Sequence, residues 1–576
     1  MIAANDQAMA LALKVLEGTW SELRASPYIQ RDLGLPVDRL PDLSEEAAID
    51  KSARAESLLR ICDKIDSALL PEQLAISLGS ARFTLDRMKR EGDYYWLVFD
   101  PMGVGFFALF APTSYAGGFL LKLVAGVVVQ HQFQTAGDVD RYCGLIEDYA
   151  RLIDQMRART EGQAERGIRI PRAQLDQSAE LVARLGGAAE ATLIPDVMRV
   201  EAFGGDEVLQ RIRDRINSSV APAFQRLLAL LRDPEYRAAA PEAVGMQQYP
   251  RGSEIYAELV RIHTTLPLTP VEVFEEGTRR VAKIRAKMRD LLRQIEFHGS
   301  PEEYLRSVER NPAWRAEGDE ALSAVFNRYI DRISPHINDY FRFKPHAPHG
   351  VEPLPSAFAD SMTFGYYDAP NPSNPVGRYL YNADNLAGNS LANIAALNYH
   401  ELVPGHHFHI ASQRENEMLH PVRANSFVNA FNEGWAEYAA TLAGEIGMYQ
   451  QPEEQFGRLM MDSFLTCRLV VDAGMNALGW GLEQARQYLR ENSFMPETEI
   501  CSETLRYSSD IPGQALAYKL GEHFLVDCRE KMRAALGDRF DIRDFHDAVL
   551  MPGALPLPIV ADNVAQATVA LLENPR

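Results

Sequence analysis

SLANIAALNYHELVPGHHFH (390–409) carries the reading from which the rest follows. Small and apolar residues at helical spacing predict a helix starting near Ser390 and running to His400-Glu401. Neutral imidazole is a good zinc ligand. A hydrolytic zinc site keeps three protein ligands and one position for water, whose proton an adjacent carboxylate can take. A His-Glu pair with a second histidine one turn later is the usual helical arrangement, but here position 404 is proline. On an undistorted helix a residue at i+6 is rotated about 240° from the first, and one at i+7 lies about 10 Å further along, so neither would share an ion with His400. Pro404 breaks the hydrogen-bond ladder and Gly405 accepts unusual backbone angles, so a local bulge is expected to swing His406 back over His400. His406 is preferred to His407 as the second ligand. The alternative is a helix end carrying two surface histidines.

Downstream, NSFVNAFNEGWAEYAATLAGE (425–445) places Glu433 on a helix 27 residues after His406, room enough for a helix–loop–helix return. A carboxylate as third ligand completes a two-histidine, one-glutamate zinc site, with Glu401 as general base. Gly434 and Ala436 are small enough for close helix approach. Glu437 reads either as an orienting partner of a ligand histidine or as an exposed helix carboxylate. Trp435 and Tyr438 read as core packing. In SETLRYSSDIPGQALAYKLGEHF (502–524), Arg506 offers a fork suited to a carboxylate, and Tyr507 and Tyr518 carry hydroxyls able to donate to an oxyanion. The same pattern also reads as a structural turn.

Outward from this region, the composition changes near 344, where Pro, Gly and Asn mark loops and short strands. Tyr366-Tyr367 and RYLYN (378–382) look like edge strands. The expected organisation is a helical N-terminal lobe, 1–345, with a strand-rich patch at about 80–130, and a zinc-binding catalytic lobe, 346–576. Amphipathic periodicity recurs at 6–23, 45–69, 138–160 and 271–295. The patch rests on YYWLVF (94–99) and GFFALFAP (105–112), while GGFLLKLVAGVVV (117–129) fits a buried strand or helix.

With 46% apolar and 24% charged residues the chain is ordinary for a globular protein, and no apolar run reaches membrane-spanning length. A net charge of −20 argues against nucleic acid. No secretion signal is read at the N-terminus, and the five cysteines are scattered without a CxxC pair. A cytoplasmic location is expected, with no membrane partner. Composition is silent on oligomeric state.

These segments together resemble a bacterial family catalogued as a domain of unknown function, number 885, whose members look like distant relatives of the glutamate-liganded zinc peptidases. Its pattern, HExxPGHH, EGWAxY and RYxxxPGQAxxYxxG, is matched by HELVPGHH (400–407), EGWAEY (433–438) and RYSSDIPGQALAYKLG (506–521). Weaker matches are YYDAPNPSNPVGRYLYN (366–382) and GIRIPRAQLD (167–176). The resemblance implies a mainly α, elongated two-lobed fold with a deep cleft, a small β-sheet and a zincin-like catalytic lobe. It implies His400, His406 and Glu433 as zinc ligands, Glu401 as base, and Arg506, Tyr507 and Tyr518 as substrate or oxyanion contacts. Tyr367 and Tyr379, in the weaker match, are expected to line the substrate. Ala440 stands where family members often carry a second glutamate, Glu437 where an apolar residue is expected, and His409 where an amide is common. The expected function is hydrolysis of an amide bond in a short peptide or small amide by metal-activated water. The alternatives are a specialised biosynthetic metalloenzyme acting on a non-peptide small molecule, or a catalytically silent scaffold.

Overall fold

The computed structural model describes residues 2–354, 364–383, 386 and 390–573, so parts of the Pro/Gly/Asn-rich stretch, 355–363, 384–385 and 387–389, lie outside the described residues. The protein is mainly α-helical with a small three-stranded sheet. It divides into two compact units, one formed by Met1–Tyr256 with Leu505–Pro512, the other by Ala257–Thr504 with Gly513–Arg576.

In the first unit, α1 (Ile2–Arg24), α2 (Glu45–Cys62) and α3 (Glu72–Met88) pack on one another. Ser44 caps α2 by accepting from Ala47 N. Then come α4 (Ala116–Val129), α5 (Ala136–Glu165), α6 (Arg172–Leu193) and α7 (Ala221–Arg232), with α7 lying against both α5 and α6.

The strand-rich patch expected at about 80–130 is absent among the described residues. It is helix at α3 and α4, with one bridged pair between them, Phe99 and Ala108. A short buried apolar run reads alike as strand or core segment, and non-local contacts decide. Here side chains, not a strand ladder, satisfy the carbonyls. Arg159 of α5 donates to Leu109 O at 2.9 Å and Tyr95 O at 2.7 Å, and Gln163 donates to Trp96 O and Leu109 O at 3.0 Å each. Asp100 gathers the N–H groups of Gly103, Gly105 and Phe106.

The second unit holds α8 (Pro270–Gln294), α9 (Gly318–Ile333), β1 (His349–Pro353), β2 (Gly365–Asp368), β3 (Gly377–Tyr381), α10 (Ile394–Glu401), α11 (His406–Glu415), α12 (Asn429–Glu445), α13 (Pro452–Ala477), α14 (Ala517–Leu536) and α15 (Leu557–Glu573). The boundary expected at 345 falls inside this unit. The reason is α8, which lies before 345 yet packs along α13. Gly277 there leaves no room for a Cβ, which would sit 2.7 Å from Leu469 Cβ.

The sheet order is β1-β3-β2, with β1 parallel and β2 antiparallel to β3. RYLYN is therefore the central strand rather than an edge. Its inward Tyr379 and Tyr381 bury against Phe326 of α9, with ring centroids 5.4 and 5.2 Å away. No helix among the described residues is long and apolar enough to cross a membrane.

Candidate metal centre

The helix predicted from Ser390 begins there. Ser390 Oγ accepts from Ala392 N, a single 3₁₀ turn follows, and α10 runs from Ile394 to Glu401. The chain then leaves the helix altogether. Leu402 has φ −109° and ψ −107°, and Gly405 has φ −82° and ψ −127° before α11 starts at His406. A Cβ on Gly405 would lie 1.9 Å from His400 O, so only glycine lets the chain fold back this tightly. The expected bulge is thus a complete break, which sets His400 at the end of one helix and His406 at the start of the next. Trp435 Nε1 donates to Pro404 O at 2.8 Å and pins the connecting loop to α12.

This arrangement brings His400, His406 and Glu433 together, with one ligand atom from each lying within 4.8 Å of the others. Glu433 Oε2 is 3.3 Å from His406 Nε2 and 3.7 Å from His400 Nε2. This oxygen is buried, and the two imidazoles are its nearest polar neighbours rather than well-aligned hydrogen-bond donors. Both imidazoles use their other nitrogen elsewhere. His400 Nδ1 lies 2.9 Å from Glu437 Oε1, and His406 Nδ1 lies 3.3 Å from His409 Nε2. An ionised carboxylate only accepts, so His400 Nδ1 carries the hydrogen and its Nε2 faces Glu433.

The electrostatics follow from this crowding. Burial works against a charged His400, but the Glu433 and Glu437 carboxylates outweigh it and raise the imidazole to about 10. Burial pushes Glu433 up, yet the two imidazoles hold it well below the usual carboxylate range. Glu401 is raised, by burial first, against the pull of His400 and His406. His407 faces away from the cluster. Its Nδ1 is 2.9 Å from Tyr367 Oη, its ring is 4.5 Å from that of His349, and burial lowers it to about 3.

Residues 27–564 match the family described as bacterial protein of unknown function (DUF885). The chain belongs to this family. The DUF885 fold here is similar to a solved structure of a candidate lipoprotein from Colwellia psychrerythraea, with a TM-score of 0.86 at 24% identity over 98% of this chain and 99% of that one. A candidate lipoprotein of unknown function from Shewanella oneidensis gives 0.69 at 17% identity, over 98% and 99%. At such identities the likeness is one of fold. No curated protein matches the chain.

In this DUF885 member the remaining expected residues are distributed unevenly. Tyr518, partly exposed, stacks on His400 with centroids 6.0 Å apart and planes 10° apart. Tyr367 lies parallel to His406 at 6.5 Å. Tyr379 is fully buried and donates its hydroxyl to Phe364 O at 2.6 Å, so the chain itself engages that group. Arg506 and Tyr507 belong to the first unit, where Arg506 lies over Tyr115 at 4.7 Å and Tyr507 is fully buried. Glu437 is buried rather than exposed. Trp435 is the core residue expected, but its bond to Pro404 and the contact of His409 with His406 escape sequence reading, because neither a spacing nor a residue type marks a side chain that acts through a neighbour.

Glu433 owes its place to a glycine contact between α12 and α14. A Cβ on Gly521 would fall 2.1 Å from Ala430 O and 2.7 Å from Gly434 Cα. Gly521→Ala is therefore expected to force the helices apart, costing about 1–3 kcal/mol in denaturant unfolding. Gly144→Ala, on an exposed helix face where a Cβ meets nothing, should be neutral or stabilising. Equal stability of the two variants would show that the helix crossing tolerates a methyl group.

Proposed function

We propose that this chain is a zinc-dependent hydrolase that cleaves an amide bond in a short peptide or a small amide. The observation that supports it most is the convergence of His400 Nε2, His406 Nε2 and Glu433 Oε2. Three tetrahedral ligands at bond lengths of about 2.0–2.1 Å lie roughly 3.3 Å from one another. Separations of 3.3 and 3.7 Å suit that need. Two imidazoles and one carboxylate favour zinc over hard cations. Zinc held there would supply a Lewis-acid charge that acidifies a water and polarises a carbonyl. Glu401, adjacent in the chain to ligand His400 and raised by its burial, is suited to take the proton from that water and return it to the leaving amine. Tyr367 and Tyr518, flanking His406 and His400, would line the substrate.

Metal analysis of the purified protein should find about one zinc per chain, with turnover of some member of a mixed dipeptide and acyl-amino-acid library. Absence of any transition metal, and no gain in activity on adding one, would end this reading. Affinity for zinc should also depend on pH. With His400 raised to about 10, the metal-free site holds a proton at neutral pH that zinc must displace. Lowering the pH favours the proton, so affinity should drop about tenfold per unit from pH 8 to pH 6. A flat profile would mean that no proton leaves.

We propose a cytoplasmic site of action, which the scattered free cysteines suit. The similar structures are described as candidate lipoproteins. Recovery of the native protein in a membrane fraction would overturn this placement.

A further inference from the structure

Glu437 divides its two oxygens. Oε1 faces His400 Nδ1 at 2.9 Å, while Oε2 takes Arg458 Nη1 at 3.0 Å and lies 3.5 Å from Lys519 Nζ. Each cation is held in turn. Arg458 Nη2 donates to Thr441 Oγ1 at 3.0 Å, and Lys519 pairs with Asp462 at 2.5 Å and with Glu522. Three helices contribute: Glu437 and Thr441 from α12, Arg458 and Asp462 from α13, Lys519 and Glu522 from α14. The site is nearly dry. Lys519 is 1% exposed and Glu437 2%.

Burying a carboxylate is costly unless its oxygens are paired, and here both are. Such an ion cluster is also a weak source of stability, since apolar side chains of similar volume often do as well. Its geometry fits another task. We propose that Arg458 and Lys519 are positioning residues for the metal centre, acting through Glu437. Two cations on one oxygen fix the rotation of the carboxylate and leave the other oxygen for His400. The imidazole ring is thereby fixed with Nδ1 on Glu437 and Nε2 toward His406 and Glu433. This rests on the zinc reading for its purpose, while the hydrogen-bond chain itself does not depend on a bound ion.

The test is a double-mutant cycle on the full chain, read as zinc affinity against a chromophoric chelator. Glu437→Gln keeps shape and removes charge; Arg458→Met removes the guanidinium. Each should weaken zinc by about 10–100-fold. The double variant should lie within about twofold of the worse single, because Arg458 acts only through Glu437. Multiplying losses would overturn the proposal in favour of separate structural roles. Thermal unfolding of the metal-free proteins separates affinity from folding. If Arg458→Met does not fold, Lys519→Met takes its place in the cycle. A second reading needs no metal: in ¹⁵N-histidine-labelled metal-free protein, the hydrogen-bonded Nδ1–H signal of His400 should shift in Arg458→Met. An unmoved signal would overturn the proposal. A wild-type protein that binds no zinc would end the hydrolase reading and leave this signal to decide the positioning role.

Discussion

Glu401→Gln is expected to retain its zinc and its fold while kcat falls by about 10²–10⁴, the usual worth of a positioned general base. The residue follows His400 directly on α10, so its side chain projects about 100° around the helix, beside the ligand set rather than into it. Its burial and raised affinity for protons suit a group that must accept one and release it. Glutamine keeps the volume and removes only the basicity. Glu433→Gln should differ in kind, because it removes a ligand charge; there the metal content falls along with turnover. The measurement is zinc per chain and kcat for both variants on one library substrate. Near-normal kcat in Glu401→Gln would exclude it as the base and would favour non-hydrolytic chemistry at the same site.

The adjacent histidines should separate just as sharply. His406→Ala is expected to bring bound zinc from about one per chain to near none, since three protein ligands are the minimum for such a site. His407→Ala should retain most of it. His407 is fully buried against His349 and the Tyr367 hydroxyl, so its loss removes a hydrogen bond worth about 1 kcal/mol and leaves a cavity. Its signature is a lower Tm with the metal still present. Equal metal loss in the two variants would leave the assignment of His406 without support.

Much of the centre is legible in HELVPGHH and EGW because metal ligands must be particular residue types at spacings that geometry restricts. Pro404 announces that the helix cannot continue, and the structure places the break there, although as a full interruption. What the motifs cannot show is the set of groups behind the ligands. Arg458 and Lys519 stand in ordinary amphipathic helices, and only packing reveals that both reach one oxygen of Glu437. The mainly α character with a small sheet follows from periodicity and from the Pro/Gly/Asn-rich stretch. The segment 94–112 misleads because its carbonyls are satisfied by Arg159 and Gln163, some 50 residues or more away along the chain. The division into units is equally hidden, since helices that read alike on either side of 345 pack together through Gly277.

Residues 505–512 give the first unit a particular timetable. Its main segment ends at Tyr256, but the chain returns to it only with Leu505–Pro512. That short segment brings Asp510, whose carboxylate receives Thr113 Oγ1 and the N–H groups of Tyr115 and Ala116, while its carbonyl receives Leu109 N. Ser508 O likewise receives Gly245 N. During synthesis, at about 5–20 residues per second, those donors emerge well over ten seconds before their acceptors exist. The first unit therefore finishes folding only after the second unit's long segment, Ala257–Thr504, has been made, and a fragment ending at Tyr256 should expose the N-terminal turn of α4 without its cap.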